Sequence, residues 1–298
     1  MKKRYDDTIL ATACIPWDEN FHFDKVNFRL EVEHMIAHGI NHIYLFGTAG
    51  EGYAVNNAQF EEIVSFFAGL MNKEGMYPMV GLIDMSTDRM EEKLKIAYKY
   101  GIRDFQFSLP AWHQLNDREI LIFMDSLLLK HQDCRFLLYN LGRTKRILEV
   151  DELISLAKRY ENFVAVKQTR LTEKDIIAFQ EETPLQLFLT EQNFITLSKT
   201  VDCSFLISVG NLDLEMAKDF FRSVKEKDND KIQYYQEKYA SLITDLKNIM
   251  NGLYIDGAYD KLFVKYTLPA FPIRLLPPYE YADQTQFDAF RQSTQKLL

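Results

Sequence analysis

The sequence predicts an α/β fold, a parallel (β/α)8 barrel followed by a helical extension, on three observations. Eight short runs rich in β-branched and aromatic residues recur between residues 8 and 209. Longer segments with helical periodicity separate them, the rhythm of βα units feeding a parallel sheet. Beyond about residue 226 the strand signal fades and a long amphipathic segment takes over.

The first run, TILATACI (8–15), precedes a segment from Asp24 to His38. Within it Val26, Leu30, Ile36 and neighbouring apolar residues recur at three-to-four spacing, as the buried stripe of a helix does. Gly39 stops that helix before INHIYLFG (40–47), and an amphipathic stretch from Asn56 to Met71 leads to YPMVGLI (77–83). Gly101 plays the same part before IRDFQFSL (102–109). RFLLYN (135–140), NFVAVKQ (162–168), LQLFLTE (185–191) and CSFLISV (203–209) complete the eight. Eight parallel strands close into a barrel at ordinary tilt, while an open doubly wound sheet is the other architecture this pattern allows. The segment 229–250 predicts a long helix, and a last helix is expected near Gln284 to Leu297, past the prolines of PAFPIRLLPP. The expected division is a barrel over 1–226 and a helical extension over 227–298.

Composition narrows the function classes. With 47% apolar and 26% charged residues in 298, the chain can bury a sizeable core. A net charge of −8 and the lack of any block of five basic residues argue against binding nucleic acid by phosphate neutralisation. Cys14, Cys134 and Cys203 are scattered and odd in number, which suggests buried thiols rather than a disulfide framework or a zinc site. The opening MKKRYDDTILATACIPW is too acidic and its apolar run too short for a secretion signal, and no run of 18 apolar residues suggests a membrane span. A cytoplasmic location is expected.

In a barrel of this kind, chemistry comes from the C-terminal ends of the strands. Those ends carry the GTAGE turn (47–51), Pro110 to Trp112, Tyr139 with Asn140, Lys167, Glu191 and Ser208 to Asn211. Lys167 follows an almost wholly apolar strand. A lysine there either snorkels outward or is an imine-forming nucleophile. An ordinary lysine is neutral in only about one molecule in 2,500 at pH 7, so the second role requires burial or a nearby cation. Tyr139 ends the preceding strand, 28 residues upstream. Neighbouring strand ends lie about 5 Å apart, so its phenol can share a substrate with Lys167. The turn's glycines, Gly47, Gly50 and Gly52, are spaced G-x-x-G-x-G, which matches neither dinucleotide nor phosphate-loop fingerprints. Amides around Thr48 and Ala49 suit a small anion such as a carboxylate. His34 and His38, four apart on the first helix, lie far from the strand ends, and no metal is expected. Glu51 is expected to fix the turn through hydrogen bonds.

Together, GTAGE after strand two, YN after strand five, the single lysine of VK after strand six and ISVGN after strand eight resemble the dihydrodipicolinate synthase and N-acetylneuraminate lyase family. The resemblance covers nearly the whole chain, extension included. It implies a (β/α)8 barrel, a homotetramer built as a dimer of dimers, and class I aldolase chemistry on pyruvate or another 2-oxo acid, with no metal or organic cofactor. It implies that Lys167 forms the Schiff base, that Tyr139 transfers protons, and that Thr48 and Ala49 present amides to the pyruvate carboxylate, with the Thr48 hydroxyl in the relay. Ile207 would line the pocket through its backbone.

Departures from the family pattern bear on the substrate. Ala49 stands where a hydroxyl residue is usual, and Trp112 stands where the synthases carry a relay tyrosine; its indole has an N–H donor but no titratable hydroxyl. Arg143 resembles the arginine that holds the carboxylate of the synthases' aldehyde partner, in a loop one residue shorter. Thr190, Glu191 and Gln192 replace the lyases' Gly-Asp-Glu segment, and Glu191 can still bind sugar hydroxyls. The expected function is a lyase or aldolase joining or releasing pyruvate with an aldehyde, with a sugar-acid-like substrate. The alternatives are dihydrodipicolinate synthase proper and an inactive family member that binds a keto acid.

Overall fold

The computed structural model describes residues 1–168, 172–197, 202–251 and 254–298. In chain order the elements are β1 (Ile9–Thr12), α1 (Lys25–Ala37), β2 (His42–Leu45), α2 (Asn57–Met71), β3 (Tyr77–Gly81), α3 (Thr87–Lys99), β4 (Asp104–Phe107) and α4 (Asp117–Met124). They continue with β5 (Arg135–Asn140), α5 (Val150–Arg159), β6 (Phe163–Gln168), α6 (Glu173–Glu182), β7 (Gln186–Leu189), α7 (Glu191–Leu197), β8 (Ser204–Ile207) and α8 (Leu214–Glu226). After α8 come α9 (Asn229–Met250), α10 (Asp256–Thr267) and α11 (Gln284–Thr294). The strands pair in sequence order, all parallel, and β8 closes on β1 through Ile9↔Phe205, Leu10↔Leu206 and Ala11↔Ile207. That closure removes the open sheet. Among the described residues no helix is long and apolar enough to cross a membrane.

Each strand lies within its expected run, and all but β5, which matches RFLLYN (135–140), are shorter, because only the residues inside the ladder are extended. The apolar runs continue past the strand ends into buried turns, so hydrophobicity overstates strand length. The first helix is present, but of the expected stripe only Ile36 packs against the core, while Val26 and Leu30 face away from it. Val26 is 69% and Leu30 44% exposed, whereas Phe28, Glu31, Val32 and Met35 are buried. Both stripes have helical spacing, and the bulk of Phe28 against Phe67 decides the phase. Glu31 is tolerated on the inner face because its Oε1 accepts the Cys14 N–H at 2.8 Å.

Apolar residues form a thick layer between strands and helices and a smaller cluster inside the barrel that includes Leu10, Tyr44, Met79, Phe188 and Leu206. The lower end of the barrel is plugged. Arg135 grips Asp104 through two bonds of 2.7 and 2.6 Å, the Tyr5 hydroxyl donates to the same carboxylate at 3.2 Å, and the guanidinium lies 4.8 Å from the Tyr5 ring centroid. The upper end is shaped by the turn after β2 and by α10. Phe46 and Glu51 take left-handed backbone conformations there, at φ 62° and 56°. A Cβ on Gly50 would meet the Phe46 nitrogen at 2.8 Å, so this glycine is required for space.

Glu51 ties these parts together. Its Oε1 takes the Lys261 ammonium of α10 at 2.5 Å and the Trp17 indole N–H at 2.8 Å, and its Oε2 takes the Leu276 N–H at 2.7 Å. Glu51 and Lys261 are both fully buried. The expectation that Glu51 fixes the turn therefore holds, with partners far away in sequence. Lys261→Met is expected to lower stability by about 3–5 kcal/mol in denaturant unfolding, since it strands a buried carboxylate. Adding Glu51→Gln should return part of that loss; a single variant within about 0.5 kcal/mol of wild type would show that the pair is not coupled to folding.

Candidate active site

β5 and β6 lie side by side with Tyr139 opposite Lys167 in the ladder. Both are buried, and the Lys167 Nζ sits 3.9 Å from the Tyr139 ring centroid, held against the face of the ring. Thr48 and Ala49, buried in the turn after β2, line the same cavity, which measures about 350 Å3. The turn's internal bonds run from Glu51 N to Thr48 O, Gly52 N to Gly47 O and Ala54 N to Glu51 O, which leaves the Thr48 and Ala49 N–H groups outside them. Four of the expected residues, Lys167, Tyr139, Thr48 and Ala49, thus converge on one chamber, and Glu191 also reaches its wall.

Glu191 also has a structural task. It opens α7, buried, and its Oε1 accepts the N–H groups of Ser208 and of Gly210, the latter at 3.0 Å. Through that oxygen it holds the loop after β8. Burial raises its carboxyl above the ordinary value, against the pull of those amides and of Lys167. Ile207 points outward into the helix layer, as alternation along β8 requires, and its carbonyl accepts the Thr12 hydroxyl at 3.1 Å. Its neighbours Leu206 and Ser208 line the cavity instead.

Trp112 and Arg143 are not among the residues that line the chamber. Trp112 is 80% exposed and does not line the cavity. Lys145 bonds the Trp112 carbonyl at 2.8 Å, which anchors the loop after β4 on the surface with the indole turned to solvent. Arg143 does reach the mouth, but both its terminal nitrogens are engaged by Asp256, Nη2 to Oδ1 at 2.6 Å and Nη1 to Oδ2 at 3.2 Å. Nη1 also lies 3.5 Å from the Thr48 hydroxyl. Burial would raise the Asp256 carboxyl, but the hydrogen bonds and charge of Arg143, with Lys167 nearby, outweigh it and hold the group below its ordinary value.

The residues that sequence reasoning missed sit on α10. Asp256, Tyr259, Asp260 and Phe263 line the cavity from above. Their spacing of three, four and seven is one helix face, and two carboxylates on an otherwise apolar stripe were the available signal. The approach is close: a Cβ on Gly257 would lie 3.0 Å from the Ala49 carbonyl. Asp260 is buried and bonded to the Ser208 hydroxyl. Burial first and the Asp256 charge second push its carboxyl up to about 8, although the Ser208 bond and Lys167 oppose this. Asp260 therefore holds a proton at neutral pH.

The arrangement offers a buried amine, a phenol beside it, free amides for an anion and a proton-holding carboxyl. Its wider architecture is shared with known proteins. The chain is 23% identical over 212 residues to 4-hydroxy-tetrahydrodipicolinate synthase of Lactobacillus acidophilus, a match covering 69% of this chain and 66% of that one, just under two thirds of its length. It superposes with a TM-score of 0.87 at 13% identity on YagE, an E. coli K12 prophage protein of the dihydrodipicolinic acid synthase family solved in complex with pyruvate, over 98% of each chain. Proteus mirabilis N-acetylneuraminate lyase superposes at 0.85 and 12% identity, over 98% of this chain and 99% of the lyase. A family model described as the dihydrodipicolinate synthetase family matches residues 7–270, and the chain belongs to that family.

Proposed function

We propose that this protein is a Schiff-base-forming lyase or aldolase that joins pyruvate, or another small 2-oxo acid, to an aldehyde or releases it from one. The observation that carries this reading is the convergence of Lys167, Tyr139 and the free amides of Thr48 and Ala49 on one cavity. The carboxylate of the keto acid takes the amides, which sets its carbonyl carbon against the Lys167 Nζ. Neutral Lys167 adds to that carbon, water leaves, and the protonated imine draws electrons from the adjacent carbon. Loss of a proton from that carbon, or cleavage of its bond to an aldehyde carbon, yields the enamine; the reverse step forms the carbon–carbon bond. Tyr139 is the proton carrier nearest the nitrogen, and Asp260 holds a second proton at the cavity wall.

The names of the sequence relatives favour a second reading, condensation of pyruvate with aspartate semialdehyde. Against it stands the engagement of Arg143 by Asp256, which also weakens the case for a sugar acid. The homotetramer belongs to the same proposal, and light scattering is expected to give the mass of four chains.

Borohydride reduction with pyruvate should leave a stable adduct on Lys167, seen by peptide mass spectrometry, and Lys167→Ala should lose both the adduct and turnover by at least about a thousandfold. An unlabelled wild-type enzyme would remove the reading. Asp260 has a stability signature as well. Its folded value, about 8, lies above the unfolded one near 3.8, so the folded state holds the extra proton between them. Its contribution is present below the unfolded value and lost as pH rises through about 8. Asp260→Asn is expected to gain Tm relative to wild type by about 2–5 °C between pH 5 and pH 8; a difference that does not change with pH would count against the proton.

A further inference from the structure

The cavity has two unlike ends. Its inner end holds Lys167, Tyr139 and the turn, and its outer arm runs between α9 and α10, where Ile243, Leu246 and Phe263 form an apolar wall. Asp256 also lines the cavity, and it forms a two-point ion pair with Arg143. We propose that Asp256 is a specificity residue: it occupies the guanidinium fork that would otherwise receive a substrate carboxylate, so the second substrate is an uncharged aldehyde whose tail lies in the apolar arm.

The inference rests on the Schiff-base reading and adds the class of the aldehyde. A guanidinium edge that already holds a carboxylate through two bonds cannot hold another in the same way. An incoming carboxylate that took this edge would have to displace Asp256 and leave a half-buried charge unpartnered beside Asp260 and Glu191. Among the described residues that line the arm, Lys247 is the other cation, and it is solvent-exposed, where water and salt screen its pull. The apolar wall has no use for a carboxylate and gains by covering an alkyl or aryl tail.

The test uses a matched pair, hexanal and 6-oxohexanoate, each with pyruvate, in assays of pyruvate consumption. Wild type is expected to favour hexanal at least tenfold in kcat/KM, and Asp256→Asn, which keeps the shape and removes the charge, should shift the ratio at least tenfold toward 6-oxohexanoate. Asp256→Ala should shift it in the same direction. Wild-type preference for 6-oxohexanoate, or a ratio unmoved by both substitutions, overturns the inference. Borohydride trapping of pyruvate on the same samples separates the two proposals. An adduct with neither aldehyde consumed sinks this inference alone, whereas no adduct in wild type removes the Schiff-base reading and this one with it.

Discussion

The candidate site depends on the buried ion pair between Glu51 and Lys261. One carboxylate collects an ammonium, an indole and a backbone N–H from three segments that are distant in sequence. Left unpaired, each charge would be among the most expensive groups in the molecule; paired and hydrogen-bonded, they specify where α10 must lie. Because Asp256 and Asp260 precede Lys261 on that helix, the pair also sets the height and rotation at which they enter the barrel mouth. The pair thus acts at a distance on a cavity that neither of its members lines.

The extension is consequently part of the site. The barrel supplies Lys167, Tyr139 and the amides from strand ends and the turn that follows β2, and the helices after α8 supply the roof. Backbone strands hold their side chains within narrow limits, which suits groups that must meet a reacting atom. A helix lowered across the mouth can vary its lining residues without disturbing those groups. The reacting groups and the residues of the roof therefore come from separate parts of the chain.

Much of this was legible in the sequence. Strands buried on both faces read as apolar runs, so all eight were found, and the rule that barrel chemistry sits at C-terminal strand ends led to Lys167, Tyr139 and the turn. What stayed hidden needed information of another kind. The phase of α1 turns on the volume of Phe28 and not on periodicity. Arg143 and Glu191 sit near the cavity, but their partners, Asp256 and the Ser208 and Gly210 amides, are set by tertiary contacts 113, 17 and 19 residues away. Trp112 lies on a loop whose path no periodic pattern describes. The two aspartates of α10 were visible as letters but had no meaning until the helix was placed.

The plug at the lower end of the barrel has a consequence for traffic. With Tyr5, Asp104 and Arg135 locked together at the lower end of the barrel, the described residues leave no passage through its floor, and a ligand reaches the chamber from the upper end. A ligand bound at the inner end is covered by whatever next occupies the outer arm, and it must wait for that occupant before it can leave. A vessel of this shape imposes a sequence on its guests, last in and first out, through topology alone.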